Sequence, residues 1–347
     1  MPRRRGEAAE QPACELVTEL SRLEALSAEW GALLERSICN RAFGSPRWFL
    51  AWCRLEPAWR PHVWVARRGG VLAGVLPLVC PVEGGAAFFP GELSDYNDAV
   101  AARGDLAVSA GLLRAALASG PGIDLHPVRT DSNLALALRA LEPSRDRASP
   151  LAAVGLLTCS YADLSGGYDA YLATRTSKFR NNLQRARRRA AERGLEVVEL
   201  EPRSFAPSEL PRAFLELHGR RFPESCFTSP RELAFAEQVL PGLFADRALR
   251  AFAVFDGGRM IAISLCAVGD RSLGVWNGGL LPEALDRAPG KLLIDAEIRQ
   301  ACAEGLEELD FLRGDEDYKA EWSTGERTIG RLDIGAGEPR DALASGR

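Results

Sequence analysis

One pattern occurs twice along this chain, and it constrains the fold more than any other feature. Residues 63–76, VWVARRGGVLAGVL, read as strand, paired glycines, strand; residues 252–263, FAVFDGGRMIAI, read the same way with the glycines in the same place. Glycine reaches the positive φ of a two-residue hairpin at no steric cost, and apolar residues on both faces mark strands that are covered on each side. The surroundings repeat as well. Helical segments at 21–35 and 46–55 precede the first hairpin, and segments at 208–221 and 231–244 precede the second. After each hairpin come a further strand, a helix (105–118 and 290–304) and another strand (123–127 and 306–312). The chain therefore reads as two copies of one α/β unit. A stretch at 142–150, rich in Pro, Arg, Ser and Asp, suits a linker, and an extended run at 152–160 opens the second copy. A length of 347 residues agrees with two units at roughly 150 residues per domain.

Composition removes several function classes. Apolar residues make up 46% and charged residues 26%, the balance of a folded soluble chain. Lys+Arg 43 against Asp+Glu 47 leaves a net charge of −4, which argues against a dedicated nucleic-acid binder, DNA included, or wholesale adsorption to anionic membrane. The longest apolar stretches, such as 71–82, are interrupted by Gly74, Pro77 and Pro81 and are too short to span a bilayer. No apolar segment follows the basic residues 3–5, so no secretory signal is read there and a cytoplasmic protein is expected. The eight Cys are scattered without a Cys-x-x-Cys pair, and His62, His126 and His218 are isolated. Reduced thiols and no metal are the expectation.

Four segments carry residue types suited to chemistry. Asp286-Arg287-Ala288-Pro289-Gly290-Lys291-Leu292 opens the helix at 290–304, where free N–H groups and Lys291 suit a pyrophosphate, although plain capping explains the same residues. It is not a P-loop, which would require Gly at 285 and Ser or Thr at 292. Residues 310–322, DFLRGDEDYKAEW, follow the last strand of the second unit, where open α/β sheets gather ligands; a solvated acidic turn is the alternative. Residues 176–190 form an amphipathic helix with a cationic outer face, read either as a solvated surface or as a polyanion contact. Residues 93–98, LSDYND, make a polar insert in the first unit, either a turn or part of a cleft. His218, at the edge of a helical apolar face, suits a packed core histidine or a base.

These segments, in this order, resemble the CelD/BcsL-type branch of the GNAT acetyltransferases, related to the FemAB peptidyltransferases. The resemblance rests on residues 177–186 (SKFRNNLQRA), 217–222 (LHGRRF), 288–293 (APGKLL) and 311–322 (FLRGDEDYKAEW), with Ser94-Asp95-Tyr96 from the first unit. It implies an α/β protein of tandem GNAT-like modules, each a mixed twisted sheet flanked by helices. Residues 14–145 would be a degenerate module on the structural and acceptor side, residues 151–335 the acyl-CoA-binding module, and 1–13 and 336–347 flexible tails. Acetyl-CoA or a longer acyl-CoA would be the co-substrate, with no metal, and the acceptor an amine on a sugar or amino-acid-like molecule. Arg287, Pro289, Gly290, Lys291 and Leu292 would hold the pyrophosphate, although Leu292 replaces the second glycine or alanine of the usual loop. Asp315 or Glu316 would act as base with His218 as the alternative, and Tyr318 as proton donor. Main-chain N–H groups of the strand at 273–277 would stabilise the oxyanion. Asp95, Tyr96, Lys178, Arg180, Arg313, Lys319 and Trp322 would bind substrate. Association with envelope or polysaccharide machinery is a family-level expectation. Two other functions remain open: a FemAB-like transfer from aminoacyl-tRNA, against which the acidic net charge counts, and a catalytically silent binding module.

Overall fold

A computed structural model describes residues 12–84, 87–89, 93–119, 122–141 and 157–334. The linker expected at 142–150 and, apart from Pro12 and Ala13, the expected tails lie outside those residues. The first half runs β1 (Ala13–Val17), α1 (Leu20–Leu34), α2 (Pro46–Leu55), β2 (Trp59–Arg68), β3 (Val71–Pro81), β4 (Ala87–Phe88), β5 (Val100–Ala101), α3 (Leu106–Ala118), β6 (Ile123–Arg129) and α4 (Asn133–Leu141). The second runs β7 (Leu157–Asp163), α5 (Gly167–Thr174), α6 (Ser177–Glu192), β8 (Glu196–Leu200), α7 (Leu210–Arg221), α8 (Pro230–Ala245), β9 (Leu249–Asp256), β10 (Arg259–Val268), β11 (Ser272–Leu280), α9 (Pro289–Ala303), β12 (Glu308–Asp310), α10 (Asp317–Trp322) and β13 (Gly325–Ile334). Helix starts follow local chemistry. Ser45, Thr176 and Ser229 each accept the N–H three residues on, and Pro46 and Pro230 fill first-turn positions that need no donor.

The repeated hairpins are present, and their turns match in detail. Gly69 and Gly70 have φ of 56° and 80°, Gly257 and Gly258 have φ of 55° and 82°, and each pair joins antiparallel strands. Two consecutive positive φ values are what a right-twisted two-residue hairpin demands. The strands form one mixed sheet in the order β1-β2-β3-β4-β6-β13-β7-β12-β11-β10-β9-β8, with β5 beside β3. Helices α1 and α3 pack on β3, α7 on β11, and α9 against β9 to β12, with α5 and α6 resting on α9.

Two of the contacts that join the halves fix the fold. Strand β13 pairs with β7 through Gly325–Ile329 and with β6 through Ile329–Ile334, so one segment near the end of the sequence carries the sheet from one half into the other. The repeat pattern assigns no strand there, because Gly330 and the charges Glu326, Arg327, Arg331 and Asp333 break the apolar alternation. The second contact is aromatic. Trp48 of α2 sits 4.9 Å from Phe235 of α8 and 5.5 Å from Trp276 of β11, both edge-on. Trp48 and Phe43 thus belong to the core of the second half.

Helix α9 holds an unusual core residue. Glu297 shares the apolar side of Ile294, Ile298 and Ala301, is fully buried, and neither carboxylate oxygen has a hydrogen-bond partner among the described residues. Ser264 and Cys266 of β10 are its polar neighbours, and burial pushes its pKa up to about 7. The unfolded chain titrates lower, so this residue's contribution to stability is complete at low pH and is lost as pH rises through about 7. Urea unfolding of wild type and Glu297→Gln at pH 4.5, 6 and 8 checks this. Wild type should lose up to about 3 kcal/mol relative to the variant across that window, and parallel curves would contradict it.

Candidate active site

Strands β11 and β12 run parallel and pair only at Ser272–Glu308, Leu273–Leu309 and Gly274–Asp310. Beyond Gly274, β11 continues to Leu280 with β10 as its partner, while the chain leaving β12 turns away. A fork opens between them. Its causes are local. A bulge shifts the β10–β11 register between Leu265 and Cys266, opposite Val275–Asn277. Leu312 is held in a left-handed conformation at φ 56°, and its N–H donates to Asp310 Oδ1 at 2.8 Å. Gly314 sits at φ 116°, a backbone conformation that L side chains rarely adopt. Non-glycine residues at positive φ concentrate where surrounding structure enforces them, commonly at functional sites.

The mouth of the fork is framed by α9 and α10. Ala288, at φ 52°, sets the entry to α9. Lys291 and Leu292 donate their N–H groups to the Ala288 carbonyl at 3.1 and 3.3 Å. Pro289 has no N–H, so among the described residues the N–H of Gly290 is the one left open in that first turn, and beyond its own helix turn and chain neighbours nothing lies within 4 Å of the place its Cβ would occupy. The Lys291 ammonium reaches Glu321 of α10 at 2.8 and 3.1 Å, and Arg287 reaches Asp256 at 3.2 Å. The Leu292 side chain is core. Tyr318 is partly exposed at the fork mouth with its ring 6.3 Å from Phe311. Burial, reinforced by Glu316, Glu297 and Cys266, raises its pKa, so the phenol stays protonated at neutral pH.

The remaining expected residues are gathered only in part. Asp95, Tyr96, Arg313 and Lys319 come together at the junction of the halves. Asp95 pairs with Arg313, and the Tyr96 hydroxyl donates to Asp310 at 3.0 Å. The buried Lys319 ammonium donates to the Arg313 carbonyl and pairs with Glu316 at 2.8 Å. The loop carrying Asp95 and Tyr96 is fixed from β6, because Asn97 N–H donates to the Pro127 carbonyl and Asn97 Nδ2 to the His126 carbonyl. Asp315 is exposed and has no partner among the described residues. Trp322 faces the core, not a cleft: it is 1% exposed and stacks edge-on against Phe179 at 4.8 Å. Lys178 is exposed at the start of α6, and Arg180 caps the carbonyl end of α5 at Leu172 and Arg175. His218 lies behind β11. Its Nδ1 faces the Gly278 carbonyl at 2.8 Å, which fixes the proton there, and its Nε2 faces Ser225 Oγ at 2.8 Å. Burial lowers its pKa against the opposing effect of the Gly278 carbonyl, so the ring is neutral at pH 7.

A cavity of about 310 Å³ lies between the halves and reaches the fork. Its polar wall includes Tyr96, Arg129 and Asp310, its aromatic wall Phe43 and Trp48, and Gly274 and Leu312 lie where the strands part. Arg129 stacks over the Tyr96 ring at 5.2 Å and pairs with Asp131 at 2.6 Å. Trp48 Nε1 is buried without a hydrogen-bond partner among the described residues. Sequence reasoning missed Asp310, Arg129 and Trp48 as site residues. Asp310 ends a strand and precedes a turn, a signal that was available; Arg129 and Trp48 carry none. Among the described residues no group of three or more His, Cys, Asp or Glu is placed to hold a metal, and no helix is long and apolar enough to cross a membrane.

Comparison with known proteins adds the family context. A family model described as an acetyltransferase (GNAT) domain matches residues 177–320, from the start of α6 into α10. No curated protein matches the sequence. Among solved structures, FemX superposes with a TM-score of 0.63 at 14% identity, covering 92% of this chain and 96% of its own. L-PGS from Bacillus licheniformis gives 0.57 at 12% identity over 96% and 95%. The C-terminal domain of a putative lysylphosphatidylglycerol synthetase from Agrobacterium fabrum gives 0.55 at 12% over 91% and 92%. At these identities the likeness is one of fold. The chain is thus similar to the GNAT acetyltransferase domain over residues 177–320, and its fold is similar along nearly its whole length to that of FemX.

Proposed function

We propose that this protein is an acyl-CoA-dependent N-acyltransferase, with the thioester held in the β11–β12 fork and the amine acceptor in the cavity between the halves. The observation that carries the reading is their meeting point: the cavity reaches Gly274, Asp310 and Leu312, where the two strands of the acetyltransferase-type domain part. Residues 157–334 then supply the donor side and the first half the acceptor side. Gly290 N–H, Arg287 and Lys291 flank the pyrophosphate, which requires Glu321 to release the Lys291 ammonium.

In the reaction the amine nitrogen attacks the thioester carbonyl, forming the C–N bond and a tetrahedral oxyanion. Main-chain N–H groups on the β11 edge beyond Gly274 have no β12 partner and would stabilise that oxyanion. Collapse breaks the C–S bond, and the departing thiolate takes the proton of the Tyr318 hydroxyl. The ammonium proton of the attacking amine goes to a carboxylate. Neither Asp315 nor Glu316 lines the acceptor cavity, whereas Asp310 lines it at the fork, held by the Tyr96 hydroxyl and the Leu312 N–H, so the reading assigns the base to Asp310. His218 is screened by β11 and Ser225 and takes no part. The acceptor in this reading is an amine on a sugar or amino-acid-like molecule. The likeness to CelD/BcsL-type chains directs the acceptor search first to such amines in envelope biosynthesis.

A second reading, transfer from aminoacyl-tRNA, is favoured by the exposed arginines of α6. Gel shift with charged tRNA, together with thiol release from acetyl-CoA and longer acyl-CoAs over a panel of amines, separates the two. Thiol release that depends on the amine supports the first reading, and charged-tRNA binding without thiol release overturns it. Tyr318→Phe should lower kcat by about 10²-fold with little change in acceptor KM, and equal rates would remove the phenol from the chemistry. Tyr96→Phe should raise acceptor KM several-fold and leave donor KM unchanged, read from initial rates with each substrate varied in turn.

A further inference from the structure

A second concavity, of about 250 Å³, lies between α6 and the start of α9, outside the fork. Asn182, Arg185, Arg189 and Arg193 contribute from α6 and its C-terminal end, Arg287 and Lys291 from the α9 start. Asp286 is the one acid among its lining residues. The α6 residues recur at i, i+3, i+7 and i+11, so a single helical face supplies them. Most cations nearby are neutralised: Arg187 by Asp295 at 2.6 Å, Arg188 by Glu192, Arg193 by Asp286 at 2.9 Å, Arg287 by Asp256 and Lys291 by Glu321. Arg185 and Arg189 have no partner among the described residues, and as an i, i+4 pair of like charges they repel along the helix. Two unpaired guanidiniums lining one concavity offer charge and hydrogen-bond donors suited to a multiply charged anion.

We infer that this groove binds the phosphorylated adenosine end of coenzyme A, with Arg185 and Arg189 holding its 3′-phosphate. The inference rests on the acyl-CoA reading above. It extends that reading by naming residues that distinguish coenzyme A from its dephospho form. Arg287 and Lys291 line both this groove and the α9 entry, so a pyrophosphate at that entry leaves the adenosine end to run toward α6. Both arginines are exposed on the outer side of α6, whose inner side is anchored by Phe179 and Leu183, so their removal leaves the packing intact.

Titration calorimetry with coenzyme A and dephospho-coenzyme A, on wild type and an Arg185→Ala/Arg189→Ala variant, tests the assignment. Wild type should bind coenzyme A about tenfold more tightly than the dephospho form, and the variant should bind both with the affinity wild type has for the dephospho form. Equal binding of the two ligands by wild type, or an equal loss for both in the variant, overturns the assignment; if acetyl-CoA is still turned over, the acyl-CoA reading stands. Binding of neither ligand, with no turnover, removes both. Should wild type not distinguish the two ligands, while a short RNA binds with steep salt dependence and the variant loses that binding, the groove belongs to nucleic acid and the assignment fails.

Discussion

Main-chain pairing along β13 is the constraint on which the rest of this molecule depends. Its first residues complete the edge of β7 and its last complete the edge of β6, so the halves share one hydrogen-bonded register. A sheet continuous across the join fixes distance and orientation more tightly than side-chain docking does, because the ladder permits only discrete slips. The cavity between the halves and the loop holding Tyr96 inherit that placement. Where Gly325 crosses Tyr161, a Cβ would lie 2.7 Å from the ring, so the pairing also depends on a glycine at that crossing.

Side chains at the join do a different job. Asp95 with Arg313 and Tyr96 with Asp310 span the halves, with Arg129 stacked over the Tyr96 ring and Lys319 close behind. Asp95 and Asp310 are buried, and buried charge is costly unless its partners and hydrogen bonds are complete. Such groups add little net stability but penalise any other docking of the halves, since a shifted join would leave charges unpaired. Apolar contact through Trp48, Phe235 and Trp276 supplies the cohesion.

Much of this was legible in the sequence because it is local. Paired glycines announced both hairpins, and Ala288-Pro289-Gly290 announced the start of α9. Tyr96, Arg313 and Asp95 were singled out by type, and the fold gathers them. What escaped depends on distant partners. No periodicity in 325–334 reveals a strand shared by the two halves, and nothing around Trp48 or Arg129 foretells their cavity. Trp322 was misplaced for a related reason: α10 spans six residues, too short for its buried face to be phased from sequence. Glu297 could have been found, since a helix face of Ile294, Ile298 and Ala301 places position 297 inside. Arg185 and Arg189 were visible as charge, but only the packing of α6 against the α9 entry gives that charge a concavity to face.

Sharing β13 also orders events during synthesis. Strand β6 leaves the ribosome long before its partner exists, so for most of translation the first half presents a bare sheet margin able to pair with any extended peptide. Its own completing strand arrives only after the entire second half has been made. A growing polypeptide of this design therefore needs either chaperone cover over that margin or assembly slow enough for it to remain collapsed and unpaired until the end.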